Sequence, residues 1–165
     1  MDFILRPLIP TDAPCFADAA NNPRIANNLT NVFPHPYTEA DAEFFIQLTQ
    51  KANPREVMAI VVAGKAVGAI GVHPQADIFC KNAEMGYWLA EPYWGKGIIT
   101  EAIKKMVEYA FANFAIDRIF ARPFGRNIGS QRVLEKAGFT LEGRLVNTIY
   151  KNGQYEDEVI YAIRR

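Results

Sequence analysis

The chain has 165 residues, half of them apolar and 12% aromatic, enough for one ordinary core and too many for a disordered segment. Its 18 Lys+Arg balance 18 Asp+Glu, so the basic surplus typical of nucleic-acid binders is missing. No apolar run approaches the roughly 18–20 residues that cross a bilayer, and Met1-Asp2-Phe3-Ile4-Leu5-Arg6 lacks the basic start of a signal peptide, so a cytoplasmic protein without nucleic-acid or membrane partners is expected.

Phe3 to Arg6 reads as a short first strand. Thr11-Asp12 offers an N-cap before the alanine-rich helical stretch Ala13 to Ala20. Asn21 to Pro36 is rich in Asn and Pro and predicts a short helix plus loop. Thr38 caps a further helix. Its first turn carries Glu39 and Asp41, and Phe44, Phe45, Leu48 and Ala52 recur at helical spacing. Val57 to Val62 is six apolar residues in a row, the pattern of a strand buried on both faces. A turn at Gly64-Lys65 leads to a second apolar strand, Val67 to Val72, and Glu84 to Leu89 is a fourth strand. Pro92 to Gly97 is a loop by composition. A long helix follows, from about Ile98 to Phe114, with Ile99, Ile103, Met106, Val107 and Ala110 on its dry face. Arg118 to Ala121 is a fifth strand. A helix from Ile128 to Ala137 has Asn127 as cap and Gly138 as stop. Two alternating strands meet at Asn152-Gly153, a dipeptide suited to a type I′ hairpin. The order predicts a mixed α/β (α+β) layer fold in one domain, residues 1–165.

Cys15 and Cys80 lie far apart and form no metal-spaced cluster, so both read as reduced packing residues. His35 and His73 lack ligand company, and no GxSxG elbow accompanies them. A metal site and a serine-hydrolase site are not expected. The informative unit is the strand, glycine loop and helix start spanning Met85 to Thr100. A helix start leaves backbone N–H groups unpaired and carries partial positive charge, and glycines before it let a phosphate come close. The loop is neither a Walker A nor a dinucleotide fingerprint.

Gly86-Tyr87-Trp88-Leu89, with Tyr93-Trp94-Gly95-Lys96-Gly97 and Thr100-Glu101-Ala102, closely resembles the GNAT N-acetyltransferase superfamily. Within it, the chain is most similar to the RimJ/RimL-like branch, which acetylates N-terminal amines of ribosomal proteins. Asn127, Ser130, Leu134-Glu135-Lys136 and Gly138-Phe139 form a second matching block. Glu142-Gly143, Asn152-Gly153, Tyr155 and Asp157 form a third. The resemblance implies a central mixed, mostly antiparallel sheet of six to seven strands. The sheet would splay between strands four and five and be flanked by helices on both faces.

The resemblance further implies acetyl-CoA as cosubstrate, with no metal. The loop of Trp94, Gly95, Lys96, Gly97, Ile99 and Thr100 would hold the pyrophosphate. The backbone of Leu89 and Ala90 would pair with the pantetheine arm, which Asn127 and Ser130 would meet from the other side. Two departures from the family stand out. Ile99 replaces a small residue, and its side chain is expected to turn into the core. Leu134 replaces a tyrosine that protonates the departing thiolate, leaving Ser130 one turn earlier as the hydroxyl.

Acetyl transfer to an amine needs a base, an oxyanion donor and help for the thiolate. Glu84 is the candidate base, its other reading being an exposed strand carboxylate, and a Leu89 or neighbouring N–H is the oxyanion donor. Phe33, His35 and Tyr37 lie where the family has its substrate lid, and they read equally as loop anchors. Tyr150, Tyr155 and Asp157 fall on the last hairpin, a cleft wall in relatives. The acceptor is an amine of open identity, and a homodimer is compatible with the resemblance. A CoA-binding module without catalysis is the alternative function.

Overall fold

The apolar run Val57–Val62 has no polar face to show water, and the chain buries it as an interior strand of a sheet. The computed structural model describes residues 1–165. The strands are β1 (Ile4–Arg6), β2 (Val57–Val62), β3 (Lys65–Pro74), β4 (Asn82–Leu89), β5 (Arg118–Ala121), β6 (Thr140–Lys151) and β7 (Gln154–Arg164). The helices are α1 (Ala13–Ala20), α2 (Pro23–Ala26), α3 (Glu39–Thr49), α4 (Ile98–Asn113) and α5 (Ile128–Lys136). The strands form one seven-stranded sheet in the order β1-β2-β3-β4-β5-β7-β6. The β4–β5 pair is parallel, and β1–β2, β2–β3, β5–β7 and β6–β7 are antiparallel. Backbone proximity divides the chain into two compact units, Met1–Gly71 with Tyr87–Ala102, and Val72–Gly86 with Ile103–Arg165.

In the first unit, α1 and α3 pack their apolar stripes on one face of β2. Phe16, Ala17 and Ala20 of α1 meet Ala42 and Ile46 of α3 over Val57, Ala59 and Val61. The buried face of α3 differs from the expected one. Ala42, Ile46 and Thr49 are inside, whereas Phe44 and Leu48 are exposed and the helix stops at Thr49. Its cap is as read: Thr38 Oγ1 accepts from Asp41 N–H, and Asp41 returns a bond to Thr38 N–H at 2.8 Å. Asp12 precedes α1 but gives it no side-chain cap. Its carboxylate instead takes a two-pronged bond from Arg6, at 2.7 and 2.8 Å, and one from Ile9 N–H. Burial pushes the Asp12 pKa up, but these bonds outweigh it and hold the carboxyl below its ordinary value.

The turn between β2 and β3 falls at Ala63-Gly64, one residue earlier than expected, with both residues at positive φ. Gly68 of β3 is fixed by close approach: a Cβ there would stand 2.4 Å from the Trp88 carbonyl oxygen. Gly68→Ala therefore displaces backbone. The expected loss is about 1–3 kcal/mol, the range for overpacking. Thermal unfolding checks it, and an unchanged midpoint would contradict the approach.

In the second unit, the β4–β5 ladder runs Asn82↔Arg118, Ala83↔Ile119, Glu84↔Phe120 and ends there, while β4 continues to Leu89. Asn127 Oδ1 accepts from Ser130 N–H and caps α5, and Gly138 follows the helix at φ +96°. The hairpin turns at Asn152-Gly153 with φ +52° and +75°. Cys80 departs from the packing role read for it, being exposed, while Cys15 is half-buried with its thiol on the Asp12 carbonyl.

Candidate functional site

The first unit contains the glycine loop. A 3-10 turn, Glu91–Tyr93, leads from β4 into Trp94-Gly95-Lys96-Gly97 and the start of α4. Gly95 and Gly97 have φ of +71° and +77°, and a Cβ on either would meet nothing within 4 Å. Their outer surfaces are thus open for a ligand. Gly97 carbonyl accepts the first helical bond, from Glu101 N–H. The N–H groups of Ile98, Ile99 and Thr100 consequently belong to the first turn, which has no intrahelical acceptor for them. Lys96 bonds the Pro92 carbonyl at 2.7 Å and sits over the Tyr93 ring, which holds a cation beside the helix start. This geometry suits a pyrophosphate.

The core-facing residue at this helix start is Ile98, fully buried, and not Ile99, which is half-buried. The inward stripe accordingly begins one residue earlier than expected, at Ile98 and Ala102.

Three braces fix the loop. Trp94 donates its indole N–H to the Leu89 carbonyl at 2.6 Å. Glu91 accepts from Asn22 and Arg24 of the α2 region. Ala90 donates to Val67 O at 2.8 Å and accepts from Tyr93 N–H. Both backbone groups of Ala90 are therefore engaged within the protein. Since Ala90 faces β3, alternation turns the Leu89 N–H to the opposite side of β4. Of the two residues expected to pair with an arm, only Leu89 presents a donor.

The lid candidates separate. Tyr37 is buried and Phe33 half-buried, and they join Phe16 and Trp88 in an aromatic cluster with centroids 4.9–6.2 Å apart. Burial and then the Asp41 charge push the Tyr37 pKa to about 12, so its phenol stays neutral. His35 is exposed, outside the cluster.

The second unit holds Glu84, Asn127 and Ser130. Glu84 is half-buried and shares its strand face with Gly86 and Trp88, opposite to buried Ala83, Met85 and Leu89. No atom lies within 4 Å of where a Gly86 Cβ would be. The carboxylate thus has open space beside it along the strand. Leu134 is fully buried, so its departure from tyrosine is a packing residue inside the unit. Asn127 Oδ1 serves the α5 cap by accepting from Ser130 N–H.

Sequence reasoning missed a buried polar cluster in this unit. Buried Glu158 of β7 accepts from Arg122 Nε at 2.9 Å and from Thr148 Oγ1 at 2.9 Å. Its signal was visible as Glu156-Asp157-Glu158. Three acids in a row on a strand must place acid on both faces.

A strand that leaves its neighbour after three pairs, a glycine loop at a helix start and a capped short helix fit an acyl-CoA-type transferase scaffold. The match to the family model described as an acetyltransferase (GNAT) domain, over residues 2–140, agrees with it. The chain belongs to the GNAT acetyltransferase family. A Bacillus subtilis (strain 168) protein described as a probable N-acetyltransferase, YjcK, is 46% identical over 83 residues, 50% of this chain and 46% of that one. The ribosomal-protein-serine acetyltransferase of Escherichia coli (strain K12) is 34% identical over 82 residues, again 50% and 46%. The solved microcin C7 self immunity acetyltransferase MccE, in complex with acetyl-CoA and AMP, superposes with a TM-score of 0.84 at 25% identity. That superposition covers 99% of this chain and 93% of that one. The chain spans about half the length of the curated relatives it matches. No helix is long and apolar enough to cross a membrane.

Proposed function

We propose that the protein transfers the acetyl group of acetyl-CoA to a primary amine, by direct attack with both substrates bound. The observation that carries this reading is the cradle: two positive-φ glycines with open outer surfaces at the start of a sixteen-residue helix, in a chain of this family. The cradle residues Gly95, Lys96, Gly97, Ile99 and Thr100 bind the pyrophosphate, with Trp94 as their brace. Leu89 N–H pairs with the thioester arm and serves the oxyanion, and Asn127 contributes its NH2. Glu84 takes the amine proton, directly or through water. Ser130 donates to the departing thiolate, which Leu134 cannot do. The acceptor class of the RimJ/RimL-like branch, a protein N-terminal amine, is part of the reading, as are a cytoplasmic location and a compatible homodimer. Open space beside Glu84 favours catalysis over a CoA-binding module that lacks it.

The experiment is calorimetry with acetyl-CoA followed by an amine panel scored by free-thiol release. Binding without release on any amine would leave only the binding module. Ser130→Ala tests the thiolate step. A hydrogen bond needed mainly as charge forms is worth about 1.5–3 kcal/mol, roughly ten- to 150-fold, and the loss should fall on kcat. Full kcat with a raised KM for acetyl-CoA would make Ser130 a binding residue only.

A further inference from the structure

Glu158 is a carboxylate with 5% of its surface exposed, placed on a strand among Val159 and Tyr161. Burying a charge is unfavourable unless it is paired and hydrogen-bonded. Here both conditions are met, by Arg122 Nε and Thr148 Oγ1. Thr148 lies in the irregular part of β6, between the register shift at Leu145/Ile149. The neighbouring backbone strengthens the hold, because Val159 N–H bonds Pro123 O and Gly125 N–H bonds Asp157 O. The base of the Arg122 side chain is thus fixed through its Nε.

The outer end is different. The Arg122 side chain is 48% exposed, and the bond to Glu158 uses Nε, so the terminal fork of the guanidinium points outward from the anchor. Alternation places Arg122 on the same face as Phe120, and Phe120 stands directly opposite Glu84. The register of β5 against β7 runs on to the Phe124↔Glu158 bridge, so Arg122 sits on an extended stretch two residues past the last β4–β5 pair, Glu84↔Phe120. The hydrogen bond to Glu158, then the charges of Glu158 and Glu84, outweigh burial and raise the Arg122 pKa above its ordinary value, so the guanidinium stays charged. Two residues past Glu84 on β4, Gly86 has no atom near its missing Cβ.

We infer that Arg122 is a specificity-determining residue for the acceptor: it reads a carbonyl or carboxylate oxygen adjacent to the amine that Glu84 deprotonates. The inference rests on the acetyltransferase reading and deepens it. A carboxylate and an anchored guanidinium on one face match an α-amino group followed by a C=O, the chemistry shared by a peptide N-terminus and a free amino acid. An alkylamine or polyamine has nothing for the fork and, if polycationic, meets it with like charge. Planar two-donor recognition of such oxygens is a property of arginine that lysine reproduces only as a point charge.

The test compares kcat/KM of the full chain for three acceptors: a short peptide with a free N-terminus, a free amino acid and spermidine. Wild type, Arg122→Gln and Arg122→Lys are each first shown to bind acetyl-CoA. The wild type is expected to prefer an α-amino carbonyl acceptor over spermidine by at least tenfold, the peptide and amino-acid arms telling the two sources apart. Arg122→Gln should collapse that ratio at least tenfold, and Arg122→Lys should restore part of it. A ratio unchanged in both variants, or an equal slowing of all three acceptors, overturns the inference while the acetyltransferase reading stands. Acetyl-CoA binding with no transfer by the wild type to any acceptor overturns that reading and this inference with it.

Discussion

Glu84→Gln should lower kcat at neutral pH by at least about tenfold, since general-base catalysis is typically worth about 10²–10⁴-fold. The substitution keeps the shape of a half-buried side chain on a well-formed strand and removes its ability to take a proton. The sign of the pH dependence follows from the acceptor. An α-amine has an ordinary pKa of about 7.7–8.0 and a lysine-type amine about 10.4, so below those values most of the acceptor is the ammonium form. The enzyme with its base removes that proton in the site. The variant must wait for solvent to do it, so its deficit is largest at low pH and shrinks as pH rises through the amine pKa. Acetyl-CoA affinity should barely change, because Glu84 lies on a strand outside the glycine cradle. Paired pH–rate profiles on an identified amine are the measurement. Parallel profiles with equal kcat would remove Glu84 from the proton transfer.

Much of the scaffold behind this expectation was legible because its signals are local. The Asn152-Gly153 turn, the Asn127 cap, the Gly138 stop and the apolar run of β2 each follow from a few neighbouring residues, and each appears in place. What escaped the sequence depends on partners distant along the chain. A nearer case is Asp12, which looked like a helix cap but gives its carboxylate to Arg6, six residues earlier, and to Ile9 N–H. Of Phe44, Phe45 and Leu48 only Phe45 turns inward, because the inward direction of α3 is set by Phe16 and the sheet, which take Ile46 and the Phe45 ring. The Trp94 indole N–H is held by Leu89 O, a partner that no local pattern announces. Glu158 and Arg122, 36 residues apart, meet because β5 and β7 are neighbours in the sheet. Periodicity gives the face of an element, whereas the partner of a polar side chain is a property of the topology.

The cradle gives the second large effect. Gly97→Asp should weaken acetyl-CoA binding by about 1.5–3 kcal/mol, the scale of hydrogen bonds to charged groups, or roughly ten- to 150-fold in Kd. Two causes act together. Gly97 sits at φ +77°, where a side chain is strained, so the loop is pulled from the conformation that aims its N–H groups. The new carboxylate also projects into the open side of the loop, where the pyrophosphate is proposed to lie, and repels it. Gly97→Ala separates the two, since it carries the strain and no charge. Its affinity should fall between wild type and Gly97→Asp. The gap between the two variants should narrow in about 1 M salt, where the screening length falls to roughly 3 Å. Protein stability is little affected by either side chain through crowding, because no atom lies within 4 Å of the Cβ position. Calorimetry on folded variants at low and high salt makes the check. Wild-type affinity in Gly97→Asp would move the phosphates away from the start of α4, and with them the observation on which the acetyl-CoA reading stands.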